Sequence, residues 1–205
     1  NLTFLILLTS FATLTSRAQW STIPGITTER LFAVHTLNSQ EALIGGKDGI
    51  LLRTSSSGEN WTTIAATDQD ITDIVFTDDN TGYMVAGSLV FRSEDGGSTW
   101  SSTTTGVGDD LVSLSFPTSQ TGYACTESGD VIKSADAGAT WSELNTGSTQ
   151  ELAGIAFGDE NTGVVLGAAG TVLHTLDGGT SWQTVDVGTT EDLTDVCFTN
   201  PTTAY

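Results

Sequence analysis

The sequence predicts an all-β fold assembled from repeated four-stranded units. Three observations predict it: tryptophans at a nearly fixed interval, a recurring Ser/Thr-x-Asp-x-Gly-x-Thr/Ser turn before most of them, and alternating apolar segments between the turns. Trp20, Trp61, Trp100, Trp141 and Trp182 are 41, 39, 41 and 41 residues apart, and they are all the tryptophans in the chain. A period near 40 residues marks a chain built from stacked copies of one small unit.

Each unit reads as four short strands. The first covers residues 71–76, 111–116, 152–157 and 193–198, where apolar side chains alternate with small or polar ones, as in Val112, Leu114 and Phe116 against Ser113 and Ser115. The second follows a Thr-Gly pair and opens on Tyr83, Tyr123 or Val164, with Thr202-Thr-Ala-Tyr205 as the fifth copy. The third runs into the Asp-containing turn, and the fourth begins at the tryptophan. Gly, Ser, Thr, Asn and Asp supply the turns between them. Four strands per unit at this period are the signature of β-propeller blades, which bury their faces by stacking on one another. The units lie near residues 31–65, 71–104, 111–145, 152–186 and 193–205.

The turn segments TSSSGENW (54–61), SEDGGSTW (93–100), SADAGATW (134–141) and TLDGGTSW (175–182) resemble the Asp-box, or bacterial neuraminidase, repeat. Together with the upstream Asn80-Thr-Gly-Tyr83 landmark, they resemble the photosystem II stability/assembly factor-like repeat proteins. The resemblance covers residues 20–205 and departs from the pattern at Ser56, which stands where the box has Asp. It implies a ring of seven blades, of which about four and a half are present, so that residues 19–205 form a propeller truncated at the C-terminus. Trp20-Ser-Thr-Ile23 reads as a lone fourth strand, a closing strand for the last blade of the ring. The fragment is then an open arc with exposed strand edges. Fold alone does not set function here, because Asp-box propellers include sialidases, xyloglucanases, receptors and assembly proteins.

Residues 2–14 are an apolar run too short to span a bilayer, followed by the small-x-small pattern Ser16-Arg17-Ala18. Residues 1–18 therefore read as a signal peptide. The mature chain is expected to be secreted, periplasmic or in the cell envelope, without membrane insertion. The 205-residue chain has a formal net charge of −19, from 25 acidic and 6 basic residues, which argues against nucleic acid and anionic lipid surfaces as partners. Cys125 and Cys197 fall in different units and strands and are expected as buried free thiols.

Within the boxes, Asp95, Asp136 and Asp177 are followed two residues on by Gly97, Gly138 and Gly179, then by Trp100, Trp141 and Trp182. A carboxylate that recurs once per unit reads as a hairpin clamp, accepting backbone N–H groups while the glycine takes a positive φ. A basic column (Arg53, Arg92, Lys133, His174) precedes the boxes and is expected to form ion pairs between blades. On the opposite rim one acid stands before each first strand: Asp70, Asp110, Glu151 and Asp192. These four are the candidate binding residues, as a negatively charged mouth for a basic partner or a cation. Asp73 and Asp195 interrupt a column of small residues, and are the least repeat-like acids available as a glycosidase pair. They are expected on different sides of a central channel. With Arg30, Arg53 and Arg92 the only arginines after residue 18, the three-arginine carboxylate clamp of a sialidase is not available. No metal spacing, cofactor motif or catalytic residue set stands out. The sequence thus points to a non-catalytic protein-binding or assembly scaffold, with a carbohydrate-active propeller, hydrolase or glycan-binding module, as the alternative.

Overall fold

The computed structural model describes residues 26–205. The signal peptide expected at 1–18 and the closing strand expected at 20–23 lie outside the described residues. The first blade holds β1 (Leu31–Thr36), β2 (Ala42–Gly46), β3 (Leu51–Thr54) and β4 (Thr62–Thr63). The second holds β5 (Ile71–Phe76), β6 (Gly82–Ala86), β7 (Leu89–Ser93) and β8 (Ser101–Thr104). The third holds β9 (Leu111–Ser115), β10 (Gly122–Thr126), β11 (Val131–Ser134) and β12 (Ser142–Leu144). The fourth holds β13 (Leu152–Phe157), β14 (Gly163–Gly167), β15 (Val172–Thr175) and β16 (Gln183–Thr184), and β17 (Phe198–Asn200) pairs with β18 (Thr203–Ala204) beyond it. Every sheet is an antiparallel meander in sequence order, as four propeller blades and the start of a fifth require.

The fifth unit departs from expectation. Residues 193–198 are expected to form a full first strand, yet the strand observed there is Phe198–Asn200. Cys197 and Tyr205 exchange two further backbone bonds of 3.0 and 2.9 Å. Cys197 is exposed, against the expectation of two buried thiols, while Cys125 is fully buried in β10. Both are free thiols.

The core lies between blades rather than within them. Three clusters fill the three inter-blade gaps, for example Tyr83, Val85 and Val90 of the second blade against Leu111, Leu114 and Ile132 of the third. This is why all of β6 and β10 is buried: successive side chains face opposite neighbours, so an unbroken apolar run is covered on both sides. Each innermost strand carries the same bulge, skipping Phe32, Thr72, Val112 and Ala153 in the register. All four skipped side chains line one axial cavity of about 370 Å³.

Two edges result. The turns joining first to second strands share one edge with the boxes, bonded to them by Gly96 N–H to Asn80 O (2.9 Å) and Ala137 N–H to Gln120 O (2.8 Å). The turns joining second to third strands share the other edge with the blade-to-blade connections.

Candidate functional site

The boxes are clamps of the kind the repeat predicts. Asp95 Oδ1 accepts from Ser98 N (3.0 Å) and Thr99 N (2.8 Å), and its Oδ2 from the Thr99 hydroxyl (2.6 Å). Asp136 and Asp177 repeat this with Thr140 and Ser181. Side-chain and then backbone bonds from Thr99 and Thr140 hold the Asp95 and Asp136 carboxyls down at about 2, and Asp177 is lowered likewise by Ser181. Gly97, Gly138 and Gly179 have φ of 82°, 79° and 85°. The residue before each is left-handed too, including Ala137 at 57°, and in the first blade Ser57 at 54° precedes Gly58 at 85°. In the first blade Ser56 replaces the carboxylate, and its Oγ accepts the equivalent bond from Asn60 N (2.9 Å).

Sequence reasoning missed a second member of the clamp, the residue that opens each box. Thr54, Ser93, Ser134 and Thr175 are buried, and their hydroxyls accept from the box glycine N–H at 2.8–3.0 Å. The signal was present, since a hydroxyl occupies that position in all four copies. Trp61, Trp100 and Trp141 donate Nε1–H to the carbonyl of Gly58, Gly97 and Gly138 at 3.0–3.1 Å. Their rings lie against the blade rather than out in solvent.

The basic column joins neighbouring blades, but by hydrogen bonds rather than the expected ion pairs. The column's ion pairs stay within a blade, Arg53 with Glu41 (3.1 Å) and Arg92 with Glu94 (2.7 Å). Across the blade gap, Arg53 reaches Ser98 Oγ (2.7 Å) and Lys133 reaches the Gly178 carbonyl (3.0 Å). The next box presents an uncharged oxygen to Arg53 and to Lys133, because its carboxylate is turned inward onto its own loop.

Aromatic side chains complete the blade joint. Tyr83 stacks on Phe116 at 3.6 Å and Tyr123 on Phe157 at 3.5 Å. Each phenylalanine then meets the box tryptophan of its own blade edge-on, at 6.1 and 6.2 Å. The tyrosine hydroxyls donate to box carbonyls of the next blade, Tyr83 to Ala137 (3.1 Å) and Tyr123 to Gly178 (3.3 Å). The Thr-Gly glycine exists to admit the phenylalanine: a Cβ on Gly82, Gly122 or Gly163 would stand 2.4–2.5 Å from that ring.

On the acidic rim the four candidates divide. Asp70 Oδ1 accepts from Asp48 N (2.8 Å) and Asp192 Oδ1 from Ala169 N (3.0 Å). Both donors sit at left-handed residues inside short 3₁₀ turns, so these two carboxylates clasp the turns of the preceding blade. Asp110 and Glu151 instead offer backbone carbonyls to turns of their own blades, accepting from Glu127 N (3.3 Å) and Ala168 N (2.9 Å). With Asp109 and Glu127, they line an open depression of about 400 Å³ on the third blade. Among the described residues no group of three or more His, Cys, Asp or Glu side chains has the arrangement of a metal site.

The structure brings Asp73 and Asp195 to one axial cavity. Asp73 is committed there: Ile74 N (2.8 Å), Leu114 N (2.9 Å) and Ser113 Oγ (3.2 Å) all donate to it. Burial pushes its pKa up, and these bonds partly offset that. Ser113 and Ser115 serve Ile155 N (3.4 Å) and Phe157 N (3.0 Å) of the fourth blade in the same way. The innermost strand is a sheet edge, and side chains of the preceding blade satisfy its outward N–H groups. That role explains Asp73 without catalysis.

The profile of the family described as photosynthesis system II assembly factor YCF48 matches residues 65–149. No curated protein matches the chain. Among solved structures, the fold is similar to YCF48 from Cyanidioschyzon merolae at TM-score 0.70 and 17% identity, covering 88% of this chain and 63% of that one. A structure of YCF48 bound to D1 peptide matches at TM-score 0.51 and 14% identity, over 87% of this chain and 90% of that one. An ancestral GH74 enzyme matches at TM-score 0.66 and 14% identity, over 78% of this chain and 24% of that one. The chain thus spans less than two thirds of the length of the Cyanidioschyzon protein. Repeats, blades and matches together make this chain an Asp-box β-propeller arc that resembles the photosystem II assembly factor family.

Proposed function

We propose that this chain is an exported, non-catalytic protein-binding module that recognises a basic segment of its partner on the acidic rim. The observation that carries the reading is the depression on the third blade, where Asp109, Asp110, Glu127 and Glu151 gather on a chain of net charge −19. A concave surface of one sign concentrates ligands of the other. The YCF48 structure that holds a D1 peptide supports a peptide as the class of partner. The carbohydrate-active alternative draws less support, because the Trp61, Trp100 and Trp141 indoles, which could stack on sugar rings, are held in the boxes by their own hydrogen bonds.

A labelled oligolysine peptide and an oligoglutamate peptide of equal length test this by fluorescence anisotropy at low and moderate salt. The basic peptide is expected to bind, more weakly as salt rises. The Asp110→Asn, Glu151→Gln double variant is expected to weaken it while leaving thermal stability unchanged. Equal binding by the double variant would move the site elsewhere, and no binding of the basic peptide would end the proposal.

A further inference from the structure

In the three boxes that carry aspartate, the residue four positions on donates a hydroxyl to the carboxylate at 2.6 Å: Thr99 to Asp95, Thr140 to Asp136 and Ser181 to Asp177. The first box lacks that second carboxylate oxygen, because Ser56 stands in place of the aspartate. The Ser56 hydroxyl still accepts the backbone N–H four positions on, at 2.9 Å. The residue there is Asn60 rather than a hydroxyl residue, and among the described residues its side-chain amide has no hydrogen-bond partner. Losing the carboxylate thus releases the side chain that the other boxes hold.

Asn60 also opens the tripeptide Asn60-Trp61-Thr62. Asn-x-Thr, with x other than proline, is the acceptor pattern for an N-linked glycan. After residue 18 the chain has no second one. Asn38, Asn80, Asn145 and Asn161 lack a hydroxyl two residues on, and Asn200 is followed by Pro201. Asn60 and Thr62 are both exposed, while the tryptophan between them is turned onto the blade, with its Nε1–H on the Gly58 carbonyl at 3.0 Å. This exposure belongs to the box and not to the place of the blade in the chain. Thr99, Thr140 and Ser181 are exposed as well, as are Ser101, Ser142 and Gln183 two residues on, in blades that each have a preceding neighbour.

From a released amide that coincides with an acceptor pattern, we infer that Asn60 carries an N-linked oligosaccharide. The donor is an oligosaccharide joined to a polyprenyl diphosphate. Asn60 Nδ2 attacks the anomeric carbon and forms a C–N bond as the C–O bond to the diphosphate breaks. The diphosphate leaves with the bonding electrons, and a base on the transferase takes one amide proton. The glycan then projects from the box edge, and the acidic rim on the other edge stays open to its partner. The inference rests on the export proposed above, because the transfer takes place on exported chains.

Expression of the 205-residue chain behind a supplied leader in a eukaryotic secretory host tests the inference, with cells and medium assayed together. The supplied leader keeps the outcome separate from whether residues 1–18 direct export. All forms carry Asn1→Gln, which removes the other Asn-x-Thr, at Asn1-Leu2-Thr3. The parent chain is expected to run as a heavier band that N-glycosidase F lowers, with the modification mapped by mass spectrometry to the peptide holding Asn60. Asn60→Gln and Thr62→Ala should each abolish the shift. Thr62→Ser should retain it, because the transferase reads the hydroxyl two residues on. Circular dichroism of Asn60→Gln and Thr62→Ala should match that of the enzymatically deglycosylated parent, since both positions are exposed. A parent chain unmodified at Asn60 overturns the inference, and so does a shift that persists in Asn60→Gln.

Discussion

Gly122→Ala probes the joint between blades, and the structure fixes both its size and its cause. Gly122 does not have a positive φ, so the backbone tolerates a side chain and the effect is steric. The new Cβ would lie 2.4 Å from the Phe116 ring. The ring has to shift, which costs about 1–3 kcal/mol as overpacking. Shifting breaks the 3.6 Å stack on Tyr83 and the 6.1 Å edge contact with Trp141, and such pairs contribute about 0.5–1.5 kcal/mol each. Restricting the unfolded chain returns about 0.4–1 kcal/mol. The expected loss is about 3 kcal/mol, read as a lower urea midpoint at unchanged m-value. A double-mutant cycle isolates the cause. In a Phe116→Leu background the same Gly122→Ala change should cost at least about 1 kcal/mol less, because the ring it strikes is gone. Equal costs in the two backgrounds would refute the account.

Tyr123→Phe removes a hydroxyl that bonds the Glu160 carbonyl at 3.0 Å and the Gly178 carbonyl at 3.3 Å, and should lower stability by about 1 kcal/mol in urea unfolding. Asp73→Ala strips Leu114 N and Ser113 Oγ of their shared acceptor and should cost about 1–3 kcal/mol, measured the same way. The box carboxyls give a pH dependence of definite sign. Their folded pKa values lie below the ordinary carboxylate value, so the stability they confer is present above about pH 4 and is lost as pH falls toward about 2. Asp73 has a raised pKa and acts in the opposite sense, favouring folding at low pH and ceasing to do so as pH rises through its folded value. Thermal unfolding midpoints across the acid range should therefore fall toward low pH in the wild type, and less steeply in Asp136→Asn.

Much of the architecture was legible because the repeat states it several times. Trp100, Trp141 and Trp182 each follow the same turn, and an alternating strand of fixed length precedes each copy, so errors in one unit are corrected by the others. What the repeat does not state is the geometry between units. The Tyr83 and Phe116 columns were visible as landmarks, but their stacking depends on the angle at which blades meet, which no single-unit pattern encodes. The same holds for the basic column. Arg53 and Lys133 stand in the predicted place, yet which atom of the next blade they meet depends on the box carboxylate being turned inward. Asp73 and Asp195 are about three periods apart in sequence, and only the curvature of the arc brings them to one cavity. The acidic rim was legible as a charge pattern. The division of labour within it was not, because Asp70 and Asp192 face turns whose left-handed residues, Asp48 and Ala169, carry no sequence signal for that conformation.

The first blade shows how the parts of the joint depend on each other. Where the other complete blades pair a strand-one phenylalanine with a glycine, this one has Thr36 with Ala42. The two changes belong together, since without the ring nothing forbids the methyl group. In the same blade Leu43 replaces the tyrosine, and Ser56 replaces the box carboxylate while keeping one of its bonds. Each departure removes an interaction that a blade makes with its neighbour or within its own box, yet the sheet itself is intact, with all four strands paired. Blade formation therefore needs only the strand pattern and a glycine at the box turn. The aromatic ladder, the inward carboxylate and the basic column are specialisations of the joint. Substitutions in these columns should alter how blades associate before they alter whether a blade forms.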